Sequence, residues 1–247
     1  MKKVLVAVLS LVFFASCDEE NYGTSSPDGA GGVGQGGSLA RFTIINDHLY
    51  IVDQNQLKVF TLADPENPVY LSNIGVQATV ETVFPYNDST LFIGSTSGML
   101  IYDVSNPTSI KLLSFYRHVV ACDPVVAKGN YAYVTLRNDP ESAWCGRSIN
   151  QLEIIDISNL AYPQLITEVP MINPKGLGIY GDTLLVCDKG IKVFDVADPL
   201  NPQFLTADED FDAVDIISID DLMILVSETG LNQYRFKNGK LNFLSSL

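Results

Sequence analysis

The sequence predicts an all-β fold: a five-bladed β-propeller, four antiparallel strands per blade, set behind a signal peptide and a Gly-rich linker. Three observations predict it. A short motif recurs, as "LKVFTLADPENP" at 57–68, "MLIYDVSNPTSI" at 99–110, "LEIIDISNLAYP" at 152–163 and "IKVFDVADPLNP" at 191–202. Each copy is flanked by runs of alternating apolar residues, the period of a strand. No segment carries a helical period. A lone four-strand meander leaves its apolar faces in water, and blades hide those faces by stacking around an axis; units recurring at roughly forty residues are the sequence mark of that arrangement.

The chain opens with "MKKVLVAVLSLVFFASC". Two lysines precede a short apolar run, too short to span a bilayer and followed by no stop-transfer charges, so residues 1–16 read as a secretory signal peptide. "FASC" resembles a bacterial lipobox, which implies that Cys17 becomes the lipidated mature N-terminus; Phe14 departs from the usual leucine. The "DEE" after Cys17 resembles a surface-export signal of lipoproteins in some Gram-negative bacteria. Residues 17–38, with the lipidated Cys and the stretch "NYGTSSPDGAGGVGQGGS", cannot bury enough apolar surface to offset ordering and form a flexible linker. Gly29, Gly31 and Gly34 match G-x-G-x-x-G, but neither the strand nor the helix of a dinucleotide site flanks them.

The propeller occupies 39–247. In each unit a first strand ("RFTIIN", "VETVFP", "DPVVAK", "KGLGIY", "AVDIIS") leads to a second ("HLYIVD", "TLFIGS", "NYAYVT", "TLLVCD", "DLMILV"). The motif supplies the third strand, and "VYLSNI", "KLLSFY", "QLITEV", "QFLTAD" and "LNFLSS" the fourth. Leu49, Leu91, Tyr131, Leu184 and Leu222 mark one equivalent position. Asp-Pro or Asn-Pro closes the hairpin between third and fourth strands, with Pro fixing φ and the acidic or amide side chain capping the turn. The fifth copy lacks the motif and offers Asn238-Gly239 as a tight turn instead. Since the first unit starts at a first strand and the last ends at a fourth, no blade is shared between the termini. Closure is expected to rest on blade one packing against blade five.

At "YAYVT…LEIIDISN…P" and "GIKVFDVADPLNP" the chain resembles LVIVD-repeat proteins over roughly residues 40–247. The resemblance implies a β-propeller, often in secreted lipoproteins, without an assigned activity, and it supplies no catalytic residues.

Charge narrows the partners. The chain carries 29 Asp and Glu against 15 Lys and Arg, a formal charge of −14, which becomes −16 once Lys2 and Lys3 leave with the signal. Nucleic acid, whose phosphates require a basic footprint, is excluded as an expected partner, and so is electrostatic docking on anionic lipid. The expected partner is a protein or glycan, the membrane is reached through the lipid anchor alone, and the protein is a monomer.

Loops entering the first strand and loops joining second to third strands emerge on one face, where ligands are expected. They carry Glu81, Arg117, His118, Asp123, Lys175 and Asp212, and Asp53, Arg137, Asp188, Lys189 and Glu228. The insertion "RNDPESAWCGRSIN" at 137–150 adds the sole Trp, Trp144, with Arg137 and Arg147. An aromatic flanked by guanidiniums is a ligand platform; Trp144 folding back to plug the blade is the alternative. The expected ligand contacts are His118, Arg137, Trp144, Lys175 and Asp188. Cys122 and Cys145, on one face of blade three in an exported protein, are expected to form a disulfide, and Cys187 to be a buried free thiol. No metal and no cofactor is expected: two His make no ligand pattern, and "DEDFDA" at 208–213 lacks the Gly and the distal Glu of a calcium loop. "GSTSG" at 94–98 puts Thr96 where a hydrolase nucleophile stands, so no catalytic residue is assigned. The expected function is a surface-anchored binding module of the outer membrane. The rival is a carbohydrate-active hydrolase using Asp123, Asp188, Asp212 and Glu228 at the channel mouth.

Overall fold

The computed structural model describes residues 36–118, 124–138, 149–237 and 239–247. All the regular structure there is strand, in five sheets of four antiparallel strands. Blade one holds β1 (Phe42–Ile45), β2 (His48–Asp53), β3 (Gln56–Thr61) and β4 (Val69–Gly75). Blade two holds β5 (Val80–Asn87), β6 (Thr90–Ser95), β7 (Gly98–Asp103) and β8 (Lys111–Arg117). Blade three follows with β9 (Val125–Lys128), β10 (Tyr131–Leu136), β11 (Gln151–Asp156) and β12 (Gln164–Pro170). Blade four comprises β13 (Pro174–Tyr180), β14 (Thr183–Asp188), β15 (Ile191–Asp195) and β16 (Gln203–Asp208). Blade five ends the chain with β17 (Asp215–Ile219), β18 (Leu222–Val226), β19 (Leu231–Lys237) and β20 (Lys240–Ser246). The first strands lie innermost, β1 beside β5, β5 beside β9, β9 beside β13 and β13 beside β17.

The repeat is deeper than its sequence. The pairing of third with fourth strand slips by one residue at the same point in every blade, between Val59 and Phe60, Ile101 and Tyr102, Ile154 and Ile155, Val193 and Phe194, and Gln233 and Tyr234. That shared register corrects the equivalence of second strands. Leu49 pairs with Phe60, Leu91 with Tyr102 and Leu184 with Phe194, but the matching partners of Ile155 and Tyr234 are Ala132 and Met223. Tyr131 and Leu222 therefore stand one residue away, on the opposite face. Apolar residues on both faces of these strands make that one-residue slip invisible in the pattern.

The motif turns are doubly capped. Asp103, Asp156 and Asp195 accept the N–H two residues on, from Ser105, Ser158 and Ala197 at 2.8–2.9 Å. Asp64, Asn106, Asn159 and Asp198 do the same for Glu66, Thr108, Ala161 and Leu200 at 3.1 Å. The turn so fixed aims a carbonyl at the preceding blade. The hydroxyls of Ser72, Ser114 and Thr167 donate to the carbonyls of Pro107, Leu160 and Pro199, at 2.7, 2.6 and 2.9 Å. The motif thus works as an inter-blade staple as well as a hairpin closure. Blade five closes its hairpin by pairing Lys237 with Lys240, with Gly239 at φ +72°, and among the described residues Thr206 of blade four meets no such turn there.

Four apolar clusters sit between blades one and two, two and three, three and four, and four and five. Among the described residues no such cluster joins blade five to blade one, which corrects the expectation that closure rests on their packing. Their facing side chains, Leu49, Ile51 and Phe60 on one side and Ile217, Ile224 and Val226 on the other, are only half-buried. Closure at the inner edge is polar. Asp215 of β17 accepts Ser38 N–H at 3.1 Å, Ser38 Oγ–H at 2.8 Å and Leu39 N–H at 3.1 Å, while Ser38 Oγ accepts Leu177 N–H of blade four at 2.8 Å. A Cβ at Gly37 or Gly176 would stand 2.1 or 2.4 Å from an Asp215 oxygen, so glycine is needed at both to let the carboxylate in.

Candidate functional site at the central cavity

The inner strands surround a cavity of about 370 Å³. Every blade contributes one charged side chain to its lining: Arg41, Glu81, Arg137, Lys175 and Glu228, in blade order. Every blade also contributes one uncharged wall residue, Leu39, Thr82, Pro124, Pro174 and Val214. The pattern follows from topology. Arg41, Glu81 and Lys175 lie at or beside the start of a first strand, and Arg137 and Glu228 follow the second strand of their blades, so all five emerge at one end of the axis.

Lys175 Nζ lies 3.4 Å from Asp212 Oδ2, a long contact with an exposed partner. Arg41 and Glu228 have no side-chain hydrogen bond or ion pair among the described residues. Sequence reasoning placed Glu81, Arg137, Lys175, Asp212 and Glu228 on this face but passed over Arg41. Its signal was available: it is the charged residue directly before the first inner strand, as Glu81 is within the second.

Other expected residues serve the fold. Asp188 does not line the cavity. It is 1% exposed and accepts the N–H groups of Ile172 and Asn173, at 3.0 and 2.6 Å, and Lys192 Nζ at 2.6 Å. Burial pushes its carboxyl pKa up, but Lys192 and the two backbone donors outweigh that and hold it below the usual carboxylate value. Asp53 pairs with Lys58 at 2.6 Å. His118 is half-buried beside the Tyr116 ring, 6.3 Å between centroids, and is not part of the cavity lining; Tyr116 donates to buried Glu153 at 3.0 Å. Cys187 is a free, buried thiol whose pKa burial raises well above the ordinary value. Asp208 of the acidic stretch caps Asp210 N–H at 3.1 Å. Cys17, Asp123, Trp144, Arg147 and the Cys122–Cys145 pair lie outside the described residues.

Five consecutive four-stranded antiparallel blades around a lined axis define a β-propeller. The LVIVD repeat is matched at residues 91–117, 121–139 and 143–170, within this propeller. No curated protein matches it. Among solved structures it is similar to a functionally unknown protein from Desulfotomaculum acetoxidans (13% identity, TM-score 0.65, 81% of this chain and 66% of that one). It is also similar to a periplasmic gluconolactonase of Pseudomonas aeruginosa (12%, 0.63, 82% and 67%). A third is a Bacteroides fragilis protein provisionally described as a 6-phosphogluconolactonase (8%, 0.66, 83% and 69%). At these identities the likeness is one of fold, and the chain spans about two thirds of each neighbour's length.

Proposed function

We propose that the protein is a surface-anchored lipoprotein of the outer membrane whose propeller is a binding module, taking its ligand at the central cavity. The carrying observation is the cavity itself, to which all five blades present one charged group each. Of the carboxylates the rival hydrolase would use, Asp188 is buried holding a loop, Asp212 is exposed and 3.4 Å from Lys175, and Glu228 lines the cavity. Cys17 supplies the lipid anchor and the linker to residue 38 the reach. In this reading the 137–150 insertion contributes Trp144 as a ligand contact, and a Cys122–Cys145 disulfide holds its root. A glycan array together with a hydrolysis screen on one purified sample tests the reading. Binding without turnover supports it; turnover lost on Glu81→Gln or Glu228→Gln establishes the rival hydrolase, which Glu81 and Glu228 at one cavity favour. For a ligand so found, Trp144→Ala is expected to weaken binding by about 1–3 kcal/mol with the fold intact. Fatty-acid labelling that vanishes in Cys17→Ala checks the anchor, and an intact mass two hydrogens below that of the reduced protein checks the disulfide.

A further inference from the structure

We propose that the central cavity takes a small organic oxyanion, a carboxylate or phosphate carried on a hydroxylated scaffold, with Arg41 and Lys175 as its anchors. The inference rests on the reading of the cavity as the ligand site and adds the ligand's chemistry. Arg41 lines the cavity from blade one, and its guanidinium makes no hydrogen bond or ion pair with any described residue. That leaves five N–H donors in a planar fork, the geometry that matches two oxygens of one carboxylate or phosphate. Lys175 reaches the same space from blade four with its side chain 17% exposed. Its carboxylate partner among the described residues, Asp212, is 73% exposed and stands 3.4 Å away, longer than the roughly 2.7–2.9 Å of a tight charge-assisted bond. The ammonium thus keeps donors for a ligand.

Four of the five uncharged wall residues are hydrocarbon, Leu39, Pro124, Pro174 and Val214; the fifth is Thr82. Apolar walls hold water back and concentrate the field of the three cations on the lining, Arg41, Arg137 and Lys175, so an otherwise acidic chain of net charge −14 presents a local attraction for an anion. Glu81 and Glu228 on the same lining set the rest of the selectivity. They repel a polyanion and accept hydroxyl donors. One anionic group on a hydroxylated scaffold satisfies both sets, whereas a cationic ligand meets Arg41 and Lys175.

The test is calorimetry on the full chain in detergent with four probes of one scaffold: glucuronate, glucose 1-phosphate, glucose and glucosamine. The expected result is binding of one or both anions, weakening with added salt, and neither of the other two. The two anion arms tell a carboxylate site from a phosphate site. Arg41→Ala and Lys175→Met should each weaken that binding at least about tenfold, since bonds to charged groups are at stake, with an unchanged thermal transition. Neither anion binding at millimolar concentration overturns the inference. So does glucose or glucosamine binding as tightly as the anions, or indifference to Arg41→Ala; if such binding is nonetheless abolished by Val214→Trp, which fills the cavity, the ligand class is wrong and the cavity reading stands. Anion binding that survives Val214→Trp lies elsewhere and sinks both.

Discussion

The four packed junctions and the blade five–blade one seam join the same kind of sheet by different means. At the junctions, apolar faces meet and vanish from water: Leu184, Val186 and Val193 are fully buried. The first three junctions add the hydroxyl-to-turn staple at the outer edge. At the seam the corresponding side chains stay half-buried, and Ser245, at the register position of Ser72 and Ser114, donates to Gln233 of its own blade at 3.2 Å. One buried carboxylate at the inner edge does the joining. The difference teaches that a repeat protein's interfaces are not interchangeable: three are written by the motif, one by apolar burial without it, and one by a local polar device.

The largest effect should come from two neighbouring positions on β18. Leu225 is fully buried toward blade four, and Leu222, three residues before it, points to the seam and is half-buried. Leu225→Ala is expected to cost about 2–5 kcal/mol, and Leu222→Ala well under half of that, because a partly solvated site loses less transfer energy and leaves no closed cavity. Chemical denaturation of both variants checks it. Equal losses would mean that the seam packs like a junction.

Two buried carboxylates sharpen the comparison through pH. Asp188 lies within the packed part with its pKa held down, so its contribution is present above the unfolded carboxylate value and is lost as pH falls through its folded value. Asp188→Asn should cost about 1.5–3 kcal/mol near neutrality, because hydrogen bonds to a charged group go, and should flatten the acid limb of the stability curve. Asp215 at the seam has the opposite sign. Burial raises its pKa despite the donors from Ser38, Ile216 and Leu39. Its contribution is therefore present at low pH and lost as pH rises through the raised value, so the seam tightens on acidification while the Asp188 contacts loosen. Stability curves of Asp188→Asn and Asp215→Ala against the parent, from neutral pH to below the ordinary carboxylate range, should diverge in opposite directions.

The closure itself is the next target. Asp215→Ala strands the Ser38 and Leu39 donors at a cost of about 1–3 kcal/mol. Gly37→Ala should act alike, since its Cβ would displace the carboxylate. Hydrogen exchange at Ser38, Leu39 and Leu177 should rise in both variants while the junction amides of β14 and β15 stay protected.

Much of this was legible. Alternation placed the first, second and fourth strands to within a residue or two at either end, and the repeated motif placed the third strands of blades one to four and their Asp-Pro or Asn-Pro turns, because strand period and turn chemistry are local. The cavity face was legible by counting loops, which placed Arg137, Lys175 and Glu228. The blade equivalences at Tyr131 and Leu222 were not, because buried strands are apolar on both faces. The surroundings of Asp188, expected as a ligand contact, were not legible: it is 1% exposed, and besides Lys192 its donors are backbone N–H groups of Ile172 and Asn173, which no side-chain pattern announces. The seam was invisible for the same reason, since Asp215 and Ser38 are 177 residues apart and only the folded ring brings them together.

The smallest predicted effect tests what the motif is for. Ser114 and Ser245 stand at the same register position of their blades, each the fourth-strand partner just before the slip. Ser114 Oγ donates at 2.6 Å across a junction to Leu160 O, in a turn pre-shaped by Asp156 and Asn159. Ser245 Oγ is exposed and donates at 3.2 Å to Gln233 within blade five. A part-buried hydroxyl-to-carbonyl bond contributes about 0.5–1.5 kcal/mol, because its loss leaves a carbonyl unpaired. An exposed one is replaced by water at little cost. Ser114→Ala should therefore lower the denaturation midpoint measurably, and Ser245→Ala should not. Ser114→Ala placed in an Asn159→Ala background should cost less than it does alone, since the turn that aims the carbonyl is already loosened; such a shortfall is the signature of coupling between the two groups. If the two losses simply add, the motif closes hairpins and nothing more, and the staple is a geometric coincidence of stacked blades.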